Sequence, residues 1–302
     1  MIRQYTEKLE ALFGERDVYL WTCLKMILVL LLLFAIEIPA YGVVVPLLAV
    51  PGILVQRIAF NAYYWVLIAL VFTLFYFFLG TAHFVPNYKL GFVSLITSVT
   101  IVLFAKRNDE DWPRLFRKLV RWVIGIGFLI IATGRLLSAE YLDGSYHEFH
   151  FLTDRSLHRA TSALTGLGTP ELYGVSQSFT QLLSSTDPSR QISVLTNPML
   201  RPTALLWAYF TVFLQAMIAI TFLAPRGSWL NRRREWFLIA FIVGTFPLDT
   251  APGFATMVAC AAFIQSFRKG KPTLFSLFYL LLFMAVPLFR LPFLQILDPI
   301  FQ

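Results

Sequence analysis

The chain has 302 residues, 58% hydrophobic and 14% charged, with a mean hydropathy of +0.69 and a net charge of +8. That balance excludes an ordinary soluble domain, and the uninterrupted apolar runs make the membrane the chain's solvent. The basic residues fall between those runs, where topology and anionic lipid account for them, so no nucleic-acid function is read from the charge.

Residues 2–13 place Ile2, Tyr5, Leu9 and Leu12 at helical spacing, which fits a short helix on the membrane surface as well as it fits a polar leader. No basic n-region or small-residue cleavage site precedes the first apolar run, Trp21 to Ile38, so this span is expected to stay in the mature protein. Tyr41 to Val55 is apolar but short and broken by Pro46 and Pro51, as in a kinked span or a re-entrant segment. Ala62 to Gly80 and Leu90 to Ala105 read as clear spans. Cys23 and Cys260 lie inside apolar segments and are read as packing residues, not as a disulfide or a metal site.

Lys106, Arg107, Arg114, Arg117, Lys118 and Arg121 mark a cytoplasmic segment, from which the helix beginning at Val123 runs outward. The polar stretch 138–203 carries Arg155, Arg159, Arg190 and Arg201 against Glu140, Asp143, Glu148, Asp154, Glu171 and Asp187, and is placed outside the cytoplasm. A structureless loop of that length is improbable, and helices are predicted from Asp154 to Leu164 and from Thr169 or Pro170 to Leu183. Ala204 to Ala224 returns to basic residues Arg226, Arg232, Arg233 and Arg234. Trp236 to Phe267 forms a hairpin within the membrane around Pro247 to Gly253, and Thr273 to Val286 leaves outward. The expected fold is an all-α integral membrane bundle of about seven to nine spans, some short and broken by proline, forming one transmembrane domain over 1–302. Residues 138–203 are its extracytoplasmic insertion, and the expected location is a bacterial inner (plasma) membrane.

Polar groups inside an apolar bundle are costly, so each has both a structural and a functional reading. Gln215 holds an interhelical hydrogen bond or belongs to a site. Asp249 caps the helix after its turn or faces a polar cavity. Arg135 snorkels to the headgroups from the end of its helix or serves a ligand. His147 and His150, three apart, share a helical face, with His158 further on. Such a spacing presents imidazoles to a metal or a haem iron, or to hydrogen bonds at a membrane interface, and it matches no zinc signature. His83 lies in a loop on the same side. Arg135, the turn at Asp143, His147, His150 and Asp249 are expected to converge at the outer mouth of the bundle as a ligand or contact surface.

The junction GRLLSAEYLDGSYHEF, with Tyr141, Asp143 and Gly144, resembles that of the horizontally transferred transmembrane (HTTM) domain family, which includes vitamin K-dependent gamma-carboxylase. There, a helix ends in a Gly-x-Lys-Lys-Leu-like run before an aromatic residue, an acidic residue and Gly. Asn87-Tyr88-Lys89-Leu90 is similar to that family's Asn-His-x-Tyr-Leu, and the span through Gln215 to Ala224-Pro225-Arg226 to its Glu-bearing helix with a Pro-Arg turn. The resemblance covers residues 20–290.

The departures bear on chemistry. In the family, the junction lysine is the base that abstracts a proton, whereas this chain has Arg135 and Leu136, a permanent cation and a hydrocarbon. The histidine near Asn87 and the acid at Gln215 are missing, as is the long soluble domain of the animal enzymes. The resemblance therefore implies the fold without the carboxylase reaction. No catalytic residue is assigned. The leading expectation is a non-catalytic accessory subunit or lipid- or quinone-binding module in contact with lipids and other membrane proteins. An enzyme acting on a quinone or another lipid at the outer face comes second and a transporter third, with haem or a metal as the alternative cofactors. Incubation of the purified protein with reduced vitamin K and labelled carbon dioxide is expected to give no incorporation, since loss of a positioned base costs on the order of a hundred- to ten-thousand-fold in rate. Incorporation that depends on Arg135 would contradict this.

Overall fold

The structure, a computed structural model, describes residues 16–37, 43–78, 88–107, 111–184, 197–245, 252–267 and 272–288. All regular elements among the described residues are helical. In chain order they are α1 (Arg16–Glu37), α2 (Val44–Leu54), α3 (Gln56–Ala59), α4 (Ala62–Phe78), α5 (Tyr88–Arg107), α6 (Trp112–Leu137) and α7 (Ala139–Leu142). They continue as α8 (Ser145–Thr153), a 3₁₀ turn (Arg155–Leu157), α9 (His158–Thr165), α10 (Thr169–Ser184), α11 (Leu200–Leu223), α12 (Trp229–Thr245), α13 (Pro252–Ser266) and α14 (Leu274–Leu288). The surface helix expected at 2–13, His83, Asn87 and Asp249 with its turn lie outside the described residues.

Two helices, α6 and α11, are long and apolar enough to cross a membrane, while Val44–Leu54, Ala62–Leu74, Gly253–Ser266 and Leu274–Pro287 are shorter apolar helices. α6 starts well before the expected Val123. Pro113 stands in its first turn, where a missing N–H is harmless, and Arg114, Arg117, Lys118 and Arg121 follow at helical spacing. Phe116, Val120 and Ile124 are buried on the other side, so the basic run and the apolar run form one amphipathic helix.

Contacts divide the chain into two compact units. The first comprises 1–127, 221–235 and 252–302. In it, α13 packs on α14 and α1, and α4 packs on α5. Tyr19 of α1 donates to the Ile264 carbonyl at 2.7 Å, with its ring 4.1 Å from Phe267. Gly52 of α2 lies under Tyr64, which donates to the Leu48 carbonyl; a β-carbon at Gly52 would stand 2.3 Å from the tyrosine oxygen. Gly125 likewise lets α6 approach the end of α11, where an added β-carbon would meet Leu223 at 2.8 Å. The α14 start is closed by reciprocal hydrogen bonds: the Thr273 amide donates to Ser276 Oγ and the Ser276 amide to Thr273 Oγ1.

The second unit comprises 128–220 and 236–251. Its core is Phe151, Leu152, Leu157, Leu167, Leu172, Leu200 and Ala204, so the expected helices in the polar stretch exist and bury an apolar face of their own. Ser176 of α10 donates to the Thr153 carbonyl at 3.0 Å and accepts from Arg155, which ties α10 to the end of α8. Glu171 takes the Gly168 amide at 3.1 Å and caps α10.

A buried carboxylate anchors the first unit. Glu235 is 3% exposed and accepts from Gln265 Nε2 at 2.9 Å and from the Tyr279 hydroxyl at 2.9 Å, with Arg234 Nε 3.1 Å away. These bonds join α12, α13 and α14 around one charge. Glu235→Ala would leave the arginine charge and two donors uncompensated, and is expected to destabilise the detergent-purified protein by about 3 to 5 kcal/mol. Glu235→Gln, which still accepts from Tyr279, should lose less. Equal melting temperatures for Glu235→Ala and the parent would contradict the assignment.

Candidate functional site

The site sits in the second unit, where α6 ends. Ser138 caps the short α7 by accepting the Tyr141 amide at 3.3 Å, which breaks the long helix and turns the chain. Asp143 then accepts the Ser145 amide at 2.9 Å. Gly144 follows at φ +82°, a left-handed conformation that favours glycine, and a β-carbon there would also meet Leu205 at 3.2 Å. α8 starts at once, so only eight residues separate the end of α6 from the Tyr146-His147 pair.

This turn folds Tyr141 back under Arg135. The guanidinium lies 4.6 Å from the centre of the Tyr141 ring, a cation–π contact. The Tyr141 hydroxyl is 2.5 Å from Thr211 Oγ1, and Thr211 spends its own proton on the Ala208 carbonyl at 2.9 Å, so Tyr141 is the donor. Tyr141 also packs with Ala208 and Val212, which fixes the site against α11.

His147 completes the group. Its ring is edge-on to Tyr141 at 4.7 Å and to Tyr146 at 5.2 Å, and it is 7% exposed. Burial first, then the charges of Arg135 and His150, pulls its pKa down to about 3. The imidazole is therefore neutral at physiological pH. Its Nε2 is buried and has no hydrogen-bond partner among the described residues. His150 is half-buried with its ring 4.5 Å from Tyr146.

The expected residues thus separate into groups. Arg135, His147 and His150 come together, joined through Tyr141 and Tyr146, whose part the sequence reading did not foresee. Thr211 was also missed, although it stands four residues before Gln215, on the same face of α11. Gln215 is fully buried, and neither its amide oxygen nor its nitrogen has a partner among the described residues, so the expected interhelical bond is not made there. Asp143 is exposed and works as a turn residue; its hydrogen bonds from Ser145, helped by Arg201, hold its carboxyl below the usual range. Asp249 lies outside the described residues.

His158 is engaged elsewhere. Fully buried, it donates through Nε2 to the Leu152 carbonyl at 3.3 Å and packs on Tyr173 at 4.9 Å, and burial lowers its pKa. Among the described residues no group of three His, Cys, Asp or Glu side chains stands close enough to hold a metal ion. The arrangement around His147 can instead exchange hydrogen bonds with a neutral polar group. A neutral imidazole donates or accepts.

The depressed pKa of His147 makes stability depend on pH. Below an unfolded value of 6.5 the unfolded chain binds a proton that the folded site refuses until about pH 3, so stability present above 6.5 is lost as pH falls through that window. Melting temperature should therefore drop between about pH 7 and about pH 5, and drop less in His147→Phe. An equal drop in both proteins would contradict the burial of a neutral imidazole. Comparison of the chain with protein-family models, curated proteins and solved structures gives no match.

Proposed function

We propose that this chain is a non-catalytic, HTTM-like integral membrane protein that serves as a lipid- or quinone-binding module of a larger membrane assembly. The observation that carries the reading is the Arg135-Tyr141-His147 group, with its uncommitted Nε2, at the end of a helix whose outer face is apolar. On α6, Ile126, Leu129, Ile130, Leu136 and Leu137 are exposed, and on α11 so are Leu206, Tyr209, Phe213 and Ile220. Water would not tolerate such faces on a monomer, whereas lipid tails or a partner's helices cover them without loss. A quinone-like head with a carbonyl and an isoprenoid tail matches a polar group set at the edge of an apolar one.

The bundle of seven to nine spans and the inner-membrane location belong to this proposal, as does its topology. The segments 106–121, 226–235 and 268–272 lie in the cytoplasm and 138–203 outside it, in accord with the distribution of Lys and Arg. A second reading, an enzyme acting on a quinone or another lipid at the same face, draws on the buried, unpartnered Nε2 of His147; it ranks second because an imidazole with its pKa at about 3 is a weak base.

Purification in mild detergent, with extraction of bound lipid and identification of co-purifying proteins, tests the assignment. The parent should retain a quinone-like lipid or a partner protein, and His147→Ala with His150→Ala should lose it while melting as a folded protein. Retention unchanged in that variant would refute the site. Turnover of an added quinone that is abolished by His147→Ala would shift the assignment to the enzyme.

A further inference from the structure

A second feature, in the first unit, points to a different ligand. The early turns of α6 and the segment that ends α11 enclose a cavity of about 460 Å³. Arg114, Lys118, Arg121 and Arg226 line it against a single carboxylate, Asp111, while Leu115, Trp122, Phe222 and Leu223 supply an apolar wall. The cations of α6 recur at the spacing of one helical stripe, and Pro225-Arg226 brings the fourth from the other side.

Arg121 is already committed. Its Nε donates to the Phe222 carbonyl at 2.6 Å and its second terminal nitrogen to the Ala224 carbonyl, so it neutralises the negative end of α11 and fixes the back of the cavity. Arg114, Lys118 and Arg226 form no ion pair among the described residues, and Asp111 pairs with none of them. Three exposed cations lining one concavity, with a single carboxylate near by, favour a bound anion of more than one charge-bearing oxygen. Beyond the basic stripe, α6 becomes apolar, with Trp122 and Ile126 exposed in the next turns. Tryptophan at such a boundary sits well at headgroup level.

We propose that this cavity binds the phosphate of an anionic glycerophospholipid, with Arg114, Lys118 and Arg226 on the phosphate and an acyl chain along Trp122 and Ile126. The ligand's shared chemistry is a phosphate; the apolar wall selects the lipid over the free ion. This inference rests on the membrane reading above. It assigns a second site, independent of the His147 group, at which lipid holds the protein.

The test uses the full chain in nanodiscs of phosphatidylcholine alone or doped with phosphatidylglycerol, with retained lipid counted by native mass spectrometry. The parent should retain phosphatidylglycerol. Arg114→Gln, Lys118→Gln and Arg226→Gln together, which leave Arg121 in place, should weaken that retention on the order of a hundredfold. Arg226→Gln alone lies outside the helices and should give a smaller loss in the same direction, which keeps the test readable if the triple variant misfolds. Retention equal to the parent's in folded variants overturns the proposal. So does inorganic phosphate that displaces phosphatidylglycerol and raises the melting temperature as much, since the site would then take the free anion. Extraction with alkaline carbonate reads the membrane assignment separately: release of the chain refutes that assignment, whereas resistance combined with unchanged lipid retention refutes only the pocket.

Discussion

A polar atom in an apolar bundle must find its partner within the bundle, and the arrangement of this chain follows from how that requirement is met. Helices satisfy the backbone. The hydroxyls then bond back to their own helices: Thr22 to Val18, Thr97 to Val93, Ser98 to Ser94, Thr100 to Ile96 and Thr245 to Phe241, each onto the carbonyl four residues earlier. Such bonds let a threonine or serine face an apolar surround without calling on another helix. Longer polar groups cannot do this and are used to join elements. Tyr19 links α1 to α13, Tyr141 links α7 to α11, and Glu235 gathers Gln265 and Tyr279.

Against that background, the buried atoms that the described residues do not satisfy stand out. In the second unit these are His147 Nε2, His158 Nδ1, Thr161 Oγ1 and both amide atoms of Gln215, and in the first Arg117 Nη1 and Gln265 Oε1; Gln215 shares a helix face with the threonine that holds Tyr141. An unpaired buried polar group costs roughly 1 to 3 kcal/mol, so each of these positions favours a hydrogen-bonding partner. Of these residues His147 also stands against Tyr141, the ring under Arg135, whereas the Asp143 carboxylate is spent on the Ser145 amide.

Much of the fold was legible in the sequence because apolar runs and proline act locally. Ala62, Thr169 and Leu274 begin helices at or within a residue of where composition placed them, and the Asp143-Gly144 turn is as its residue types demand. Two features were not legible. The start of α6 was hidden because its basic residues read as a topology marker, although their spacing was already that of one helical face. Glu235 was hidden by its neighbours Arg232, Arg233 and Arg234, which read as a basic cytoplasmic segment. Burial of a carboxylate there depends on Gln265 and Tyr279, which are 30 and 44 residues away and have no local signature. Of the site, the sequence showed the histidines and Arg135 but not their linker. Tyr141 stood in the resemblance as a motif position, and its role as the ring between Arg135 and His147 is a tertiary fact.

That position 135 holds an arginine and not a lysine takes on a physical meaning from that contact. A lysine at the end of an apolar helix can shed its proton when desolvated, and so can act as a base. Arginine holds its charge, and here that charge is placed over an aromatic face, which stabilises a cation without a counter-ion. The same charge disfavours protonation of His147. Burial first, and then this permanent cation, keep the neighbouring imidazole neutral. A group with a permanent charge on one side and a neutral donor-acceptor on the other is suited to holding a polar head.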